Sequence, residues 1–285
     1  MANQSVKVPA ALRTLLVLQT LGRAGHPMTA QAIAQRLGIP RSSTYQLLEV
    51  LESQGFVVHF PEEKRWSLGI AAFELGSAYL RHDPLERLAQ PILNRLLLQV
   101  GALRNSRGSM GSGLSNLGFA AVGQLGILSG AEILYLLKGA TAAHAQANLG
   151  VVTDVGVRLP AHLTASGRSM LAQLDRAQLR ATFPGGNDSR LPLRTGIGPA
   201  TIRDLNVLLA EERESGVSVE QGMVTENYSS IAAAARNHLG IPVAAFAVTF
   251  RTDLMDAADT SQILDRLTPL LRSAAADLGR RLGAK

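Results

Sequence analysis

Arg41, Ser42, Ser43, Thr44, Tyr45 and Gln46 follow one another inside the segment TAQAIAQRLGIPRSSTYQLLEVLESQG at 29–55. A cation, hydroxyls, a phenol and an amide in one run suit one chemistry. The cation meets phosphate oxygens, and the others meet base edges. Lys64 and Arg65 add two more cations further along. These eight residues are the candidate DNA-binding set. A second group, His162, Ser166 and Glu220, has the types of a Ser-His-acid hydrolase. That chemistry needs mutual hydrogen bonding and an oxyanion hole, not co-occurrence in a chain. Ser166 reads Thr-Ala-Ser-Gly-Arg with its neighbours, not the Gly-x-Ser-x-Gly elbow. No catalytic residue is therefore expected. The other histidines, His26, His59, His82, His144 and His238, show no paired ligand spacing, so neither a metal site nor a cofactor is expected.

The elements that must carry the first group are two helices and a turn. Thr29 suits an N-cap, since its hydroxyl accepts an orphan N–H. Ile33, Ala34 and Leu37 share one helical face, and Gly38 stops the helix where a positive φ is easiest. Pro40 suits the start of the next helix. Thr44, Leu47, Leu48 and Leu51 continue the apolar side, although Thr44 is also counted in the DNA-facing run. The spacing is that of a helix-turn-helix. After Gly55, the run FVVHF, the turn PEEK and the run RWSLG predict a hairpin. Residues 9–21 predict a preceding helix with a stripe of Leu12, Leu15, Leu16 and Leu18. The sum is a winged helix.

A chain of 285 residues is too long for that unit alone. Residues 1–69 hold seven Lys/Arg against four Asp/Glu, and the other 216 residues hold 21 against 18. Positive charge is denser in the first quarter, as a phosphate-binding module requires. There is no cysteine, which removes disulfide and thiol chemistry and fits a cytoplasmic setting. The first ten residues lack a secretory apolar core, and no window of about 18 apolar residues predicts a membrane span.

Further organisation follows from periodicity. Residues 70–82 predict a linker helix, ended at Asp83-Pro84. The next helix is expected to kink or restart near Pro91. The Gly/Ser/Asn-rich stretch 104–118 predicts a mobile loop. Strands are expected at 127–128 and 133–137, around the turn Ser129-Gly130-Ala131-Glu132, and at 217–219, 230–235 and 242–250. Helices are expected at 164–175, continuing or repeating to 183, at 200–215, and at 259–282. This mixture reads as α+β rather than a doubly wound parallel sheet. The expected domains are 1–69, a linker at 70–83, and 84–285.

The recognition segment GIPRSST with Leu47-Leu48, the wing GFV…WSLG, the stretch GVRLPAHLTASGRSMLA (156–172), and SGVSVE (215–220) with IAA (231–233) and VAAFAV (243–248) together resemble the IclR family of bacterial transcription regulators. The resemblance spans about residues 9–282. It implies a winged helix, a linker helix and a C-terminal GAF-like domain that binds a small molecule, often an organic acid. It also implies dimers or tetramers on palindromic double-stranded DNA operators, as repressor or activator. By motif, the family's pocket positions fall on Asn148, Val151, Leu159, Ala165, Ser166, Glu220, Tyr228, Ser230, Ala247 and Thr249. With His162 and Gly167 of the strand–helix junction, these make the candidate effector-binding set. Where the family often has a Gly-x-Arg-Cys-like run, 226–230 reads ENYSS; Tyr228 could stack on an aromatic effector.

Two readings of the 164–167 junction stand. Its free N–H groups could hold a carboxylate, or Thr164 could cap its own helix. Alternative functions are a small-molecule hydrolase or transferase with an accessory winged helix, and a winged helix that docks protein.

Overall fold

The computed structural model describes residues 8–82, 84–103, 118–147, 153–253 and 255–284. The chain divides into two units, Met1–Asp83 and Pro84–Lys285. Among the described residues no helix is long and apolar enough to cross a membrane.

The first unit runs α1 (Pro9–Ala24), β1 (Met28–Thr29), α2 (Ala30–Leu37), α3 (Arg41–Ser53), β2 (Val57–Phe60), β3 (Arg65–Leu68) and α4 (Ile70–His82). Thr29 caps α2: its Oγ1 accepts the Ala32 N–H at 3.2 Å. Gly38 ends that helix at φ 65°, a left-handed conformation that a side chain would strain. Ile33 of α2 and Leu48 and Leu51 of α3 are buried with Val17, Leu21, Val57 and Trp66 in one core. Residues β1 and β2 flank β3 in a three-stranded antiparallel sheet. Strand β1 has only two residues and leaves no periodic signal. The stripe expected on α1 is displaced. Val17, Thr20 and Leu21 are buried, while Leu12 and Leu15 are exposed, because only the second half of α1 meets the core.

The second unit runs α5 (Pro84–Gly101), β4 (Val122–Ser129), β5 (Glu132–Ala140), α6 (Ala142–Ala147), β6 (Arg158–Pro160), α7 (Ala165–Leu171), α8 (Arg176–Thr182), α9 (Ile202–Ser215), β7 (Ser218–Gln221), β8 (Tyr228–Arg236), β9 (Pro242–Arg251) and α10 (Ala257–Arg281). Its six strands lie in the order β6-β5-β4-β9-β8-β7, with every pairing antiparallel. Helix α5 passes through Pro91 as one element, which removes the restart and leaves the kink of the two expected alternatives. The helix expected from 164 stops at Leu171. Asp175 then caps α8 separately, in a capping box with Gln178. The Gly/Ser-rich stretch 104–117 lies outside the described residues, so the expectation of a mobile loop there has no counterpart.

The sheet has two faces of opposite character. Ile231, Ala233 and Ala235 of β8 and Phe246, Val248 and Phe250 of β9 join Leu93, Leu96, Leu267 and Leu271 of α5 and α10 in the main core. The alternate residues Ala232 and Ala247 instead meet Ala165 of α7. Along β9, period-two alternation thus gives large residues to one helical layer and small ones to the other. Small residues there leave room. The site sits on that side.

Candidate DNA-binding surface and effector cavity

Helix α3 buries Thr44, Leu48 and Leu51 and turns Arg41, Ser42, Tyr45 and Gln46 outward; Ser43 is half-buried. Thr44 does not belong with the DNA-facing residues. It is fully buried, and its hydroxyl donates to the Pro40 carbonyl at 3.1 Å. The hairpin holds Lys64 at its tip with φ 52°. Arg65, exposed beside it, donates to the Pro27 carbonyl at 3.1 Å and lies 4.0 Å from Glu63. The first unit therefore presents a helix of polar side chains and two cationic wing residues, the arrangement a groove and its phosphates accept.

In the second unit a cavity opens between α7 and the alanine face of the sheet. Leu159, Ala165, Ser166, Glu220, Tyr228, Ser230, Ala247 and Thr249 line it. Six others outside the expected set line it too: Gln124, Tyr135, Thr153, Thr164, Val224 and Thr225. Strand register explains the convergence. Glu220 lies opposite Ser230, and Ser230 lies opposite Thr249. Side chains at paired positions point to the same face. Ser230 and Thr249 hydroxyls are 3.0 Å apart, Thr249 donates to Gln124 Oε1 at 3.2 Å, and Gln124 Nε2 donates to Thr153. A polar row thus crosses β7, β8, β9 and β4.

Tyr135 and Ser166 hydroxyls meet at 3.5 Å on another wall. Burial pushes the Tyr135 phenol up to about 12, so it is a neutral donor. Glu220 Oε1 accepts the Met223 and Val224 N–H groups at 2.6 and 3.1 Å. Those bonds favour the carboxylate, yet burial outweighs them and holds the group above its ordinary value.

Three expected residues fall elsewhere. His162 lines a different depression, with Phe183 edge-on to its ring, and its Nε2 donates to the Pro192 carbonyl at 2.9 Å. Burial holds its pKa below the ordinary histidine value. Gly167 packs on backbone: a Cβ there would sit 2.4 Å from Ala161 Cα. Its N–H goes to Thr164 Oγ1 at 3.0 Å, so Thr164 caps its own helix. Asn148 and Val151 lie outside the described residues. Ser166 and His162 face different partners, and no Ser-His-acid relay forms among them.

One residue quoted in the sequence motif acquires an unassigned part. Arg168 is completely buried. Its Nε meets Glu212 Oε1 at 2.9 Å. Its other nitrogens reach the carbonyls of His162 and Val219 and the Met223 sulfur. It ties α7 to α9 and to the strand and loop that carry Glu220. Nothing local marks such a residue; a lone Arg in a helix reads as surface.

The chain matches two family models: "Bacterial transcriptional regulator IclR C-terminal" over residues 118–280, and "IclR helix-turn-helix domain" over 10–60. It is 27% identical over 287 residues to the HTH-type transcriptional repressor AllR of Klebsiella pneumoniae, covering 96% of this chain and 89% of the relative. In fold it is similar to an IclR transcriptional regulator from Alicyclobacillus acidocaldarius (TM-score 0.76, 22% identity, 98% of this chain and 100% of the other). It is also similar to an IclR homolog from Microbacterium hydrocarbonoxydans solved in complex with 4-hydroxybenzoate (TM-score 0.71, 22% identity, 96% and 98%). The organisation is α+β, with a winged helix-turn-helix followed by a GAF-like domain.

Proposed function

Since this chain belongs to the IclR family of bacterial transcription regulators, we propose that it is a repressor whose hold on a palindromic operator is set by a small organic acid in the cavity of its C-terminal unit. Family membership makes it a DNA-binding, ligand-responsive regulator and not an enzyme, which removes the hydrolase reading. Repression is carried over from the similar AllR proteins. An aromatic effector is carried over from the homolog that holds 4-hydroxybenzoate. The observation that supports the effector reading is the cavity itself. Residues far apart in sequence line one space, and two of them, Tyr135 and Tyr228, are aromatic. The effector's carboxylate finds hydroxyl donors at Ser166 and Tyr135.

In this proposal Arg41, Lys64 and Arg65 bind backbone phosphates while Ser42, Ser43, Tyr45 and Gln46 face bases. Two copies of α3 in a homodimer, or in a tetramer of such dimers, enter successive major grooves. Val8 before α1, Leu12 and Leu15 on α1, and Ile70, Phe73 and Leu75 on α4 are apolar and exposed, which supports association of copies through the first unit. Cytoplasmic location follows from the DNA target.

The test is a thermal-shift series with aromatic and aliphatic acids, followed by operator binding with each acid that raises the midpoint. Stabilisation by hydroxylated aromatic acids, with changed operator affinity, is the expected result. Stabilisation only by short keto acids would overturn the aromatic part. An operator affinity unmoved by every stabilising acid would overturn the effector reading.

A further inference from the structure

The charge inventory of the cavity conflicts with the simplest way to bind an acid. Its wall carries Glu220 and, among the described residues, no Lys, Arg or His. The charged and titratable groups that face Glu220 come from four elements. Tyr135 on β5 is a neutral phenol, and Tyr228 on β8 lines the same wall. Arg168 on α7 is the nearest buried cation, but Glu212 on α9 already holds it at 2.9 Å. Outside the cavity, exposed Arg194 donates to the Val224 carbonyl. An organic carboxylate entering this space would place a second anion near Glu220 with no cationic side chain in the described lining to offset it, and burying such a charge is costly.

The polar row shows how the conflict resolves. Gln124 Oε1 can only accept, so the Thr249 hydrogen points to it. The Ser230 hydroxyl, 3.0 Å from Thr249, also bonds the Glu220 side chain. A carboxyl O–H at 220 can in addition turn to a ligand oxygen, which a bare carboxylate cannot do.

We propose that this cavity takes a carboxylate ligand only together with one proton, drawn from solvent and shared between Glu220 and the ligand. The class of ligand follows. The end that meets Glu220 carries a hydrogen, either its own, as in a hydroxyl or amide, or one acquired on binding. Glu220 thereby discriminates among ligands by protonation and not by size. This rests on the effector reading above.

The experiment is calorimetric titration of the full-length protein with benzoate and with benzamide from pH 5 to 9, in pairs of buffers of different ionisation enthalpy. For the acid we expect a plateau at low pH, then about a tenfold loss of affinity per pH unit, with close to one proton taken up on the falling limb. For the amide we expect a flat profile and no uptake. Glu220→Gln, checked for folding by its thermal melt, should bind the acid with a flat profile, because its amide donates without titrating. Acid binding by the wild type with no uptake at any pH would overturn the proposal. So would a Glu220→Gln variant that keeps the wild-type slope. Binding of the amide alone, even at pH 5, would remove the organic-acid reading and leave Glu220 as a reader of donors. Failure of both probes would overturn the cavity reading and the proton linkage with it.

Discussion

The two units do opposite things with their polar residues. The winged-helix unit buries an apolar core and leaves the residues proposed to meet DNA in water: Arg41, Ser42, Tyr45, Gln46 and Lys64 are all exposed. The second unit buries the polar residues of its proposed site and their support. Glu220, Ser166, Gln124 and Arg168 are each at most 2% exposed. The first unit recognises by presenting a surface, where each contact acts nearly alone and salt screens it. The second recognises by enclosing, where each polar group depends on its neighbours and an error is costly. The difference teaches where single substitutions act globally and where they act locally.

The largest effect is expected in the buried network. Arg168→Met strands Glu212 without its partner, and breaking a buried ion pair costs about 3–5 kcal/mol. Trp66 is the chain's one tryptophan and lies in the first unit. Its fluorescence in urea should therefore hold its transition while far-UV circular dichroism loses stability. Adding Glu212→Leu should recover most of the loss. If the Trp66 transition moves equally, the two units do not behave as separate cores.

Next comes Gly167→Ala, where the added methyl meets the backbone of Ala161. Overpacking of this kind costs about 1–3 kcal/mol. The same two-probe denaturation should again confine the loss to the second unit and weaken ligand stabilisation. A neutral outcome would mean that α7 can shift freely on Ala161.

Smaller and of another kind is Arg41→Ala. It should leave the thermal midpoint alone and weaken binding to all DNA sequences. The slope of log affinity against log salt should fall by about 0.9, the share of one phosphate. An unchanged slope would remove Arg41 from the phosphate contacts.

The smallest effect is a pH trend. Glu220 has its folded-state value raised above the ordinary 4.5, so the native state holds the proton more tightly than the unfolded chain. Stability from this group is then full in acid and is lost as pH rises through the raised value. Glu220→Gln cannot ionise. Its melting midpoint should exceed that of the wild type at neutral pH, by a margin that shrinks toward acid. A margin independent of pH would assign the gain to packing.

What could be read from the chain divides along the same line as the units. Thr29, Gly38 and Pro40 act on residues two to four positions away, so the helix-turn-helix shows in a short window. Strands β8 and β9 show too, as long β-branched and alanine-rich runs. Strand β6, three residues ending in Pro160, has no periodicity to show and exists because β5 pairs with it. Gln124 and Tyr135 are cavity residues only through the register of β4 and β5. A polar residue inside an apolar strand run was their one available signal. His162 and Gly167 sit beside true lining residues in sequence, but one turns to Pro192 and the other to Ala161. Leu12 and Leu15 have the right spacing for a core, yet the core stops short of them.

The two-faced sheet has a consequence for how such a regulator can change. Along β9 the residues that hold the fold, Phe246, Val248 and Phe250, alternate with Ala245, Ala247 and Thr249, of which Ala247 and Thr249 touch the cavity. One strand therefore carries two independent vocabularies at odd and even positions. Drift in the even-numbered set threatens the protein; drift in the odd-numbered set retunes what it senses. Enlarging a single alanine methyl can reshape the cavity while the layer behind it stays intact. A lineage can thus acquire a new inducer by a few single steps, each made by a molecule that still folds.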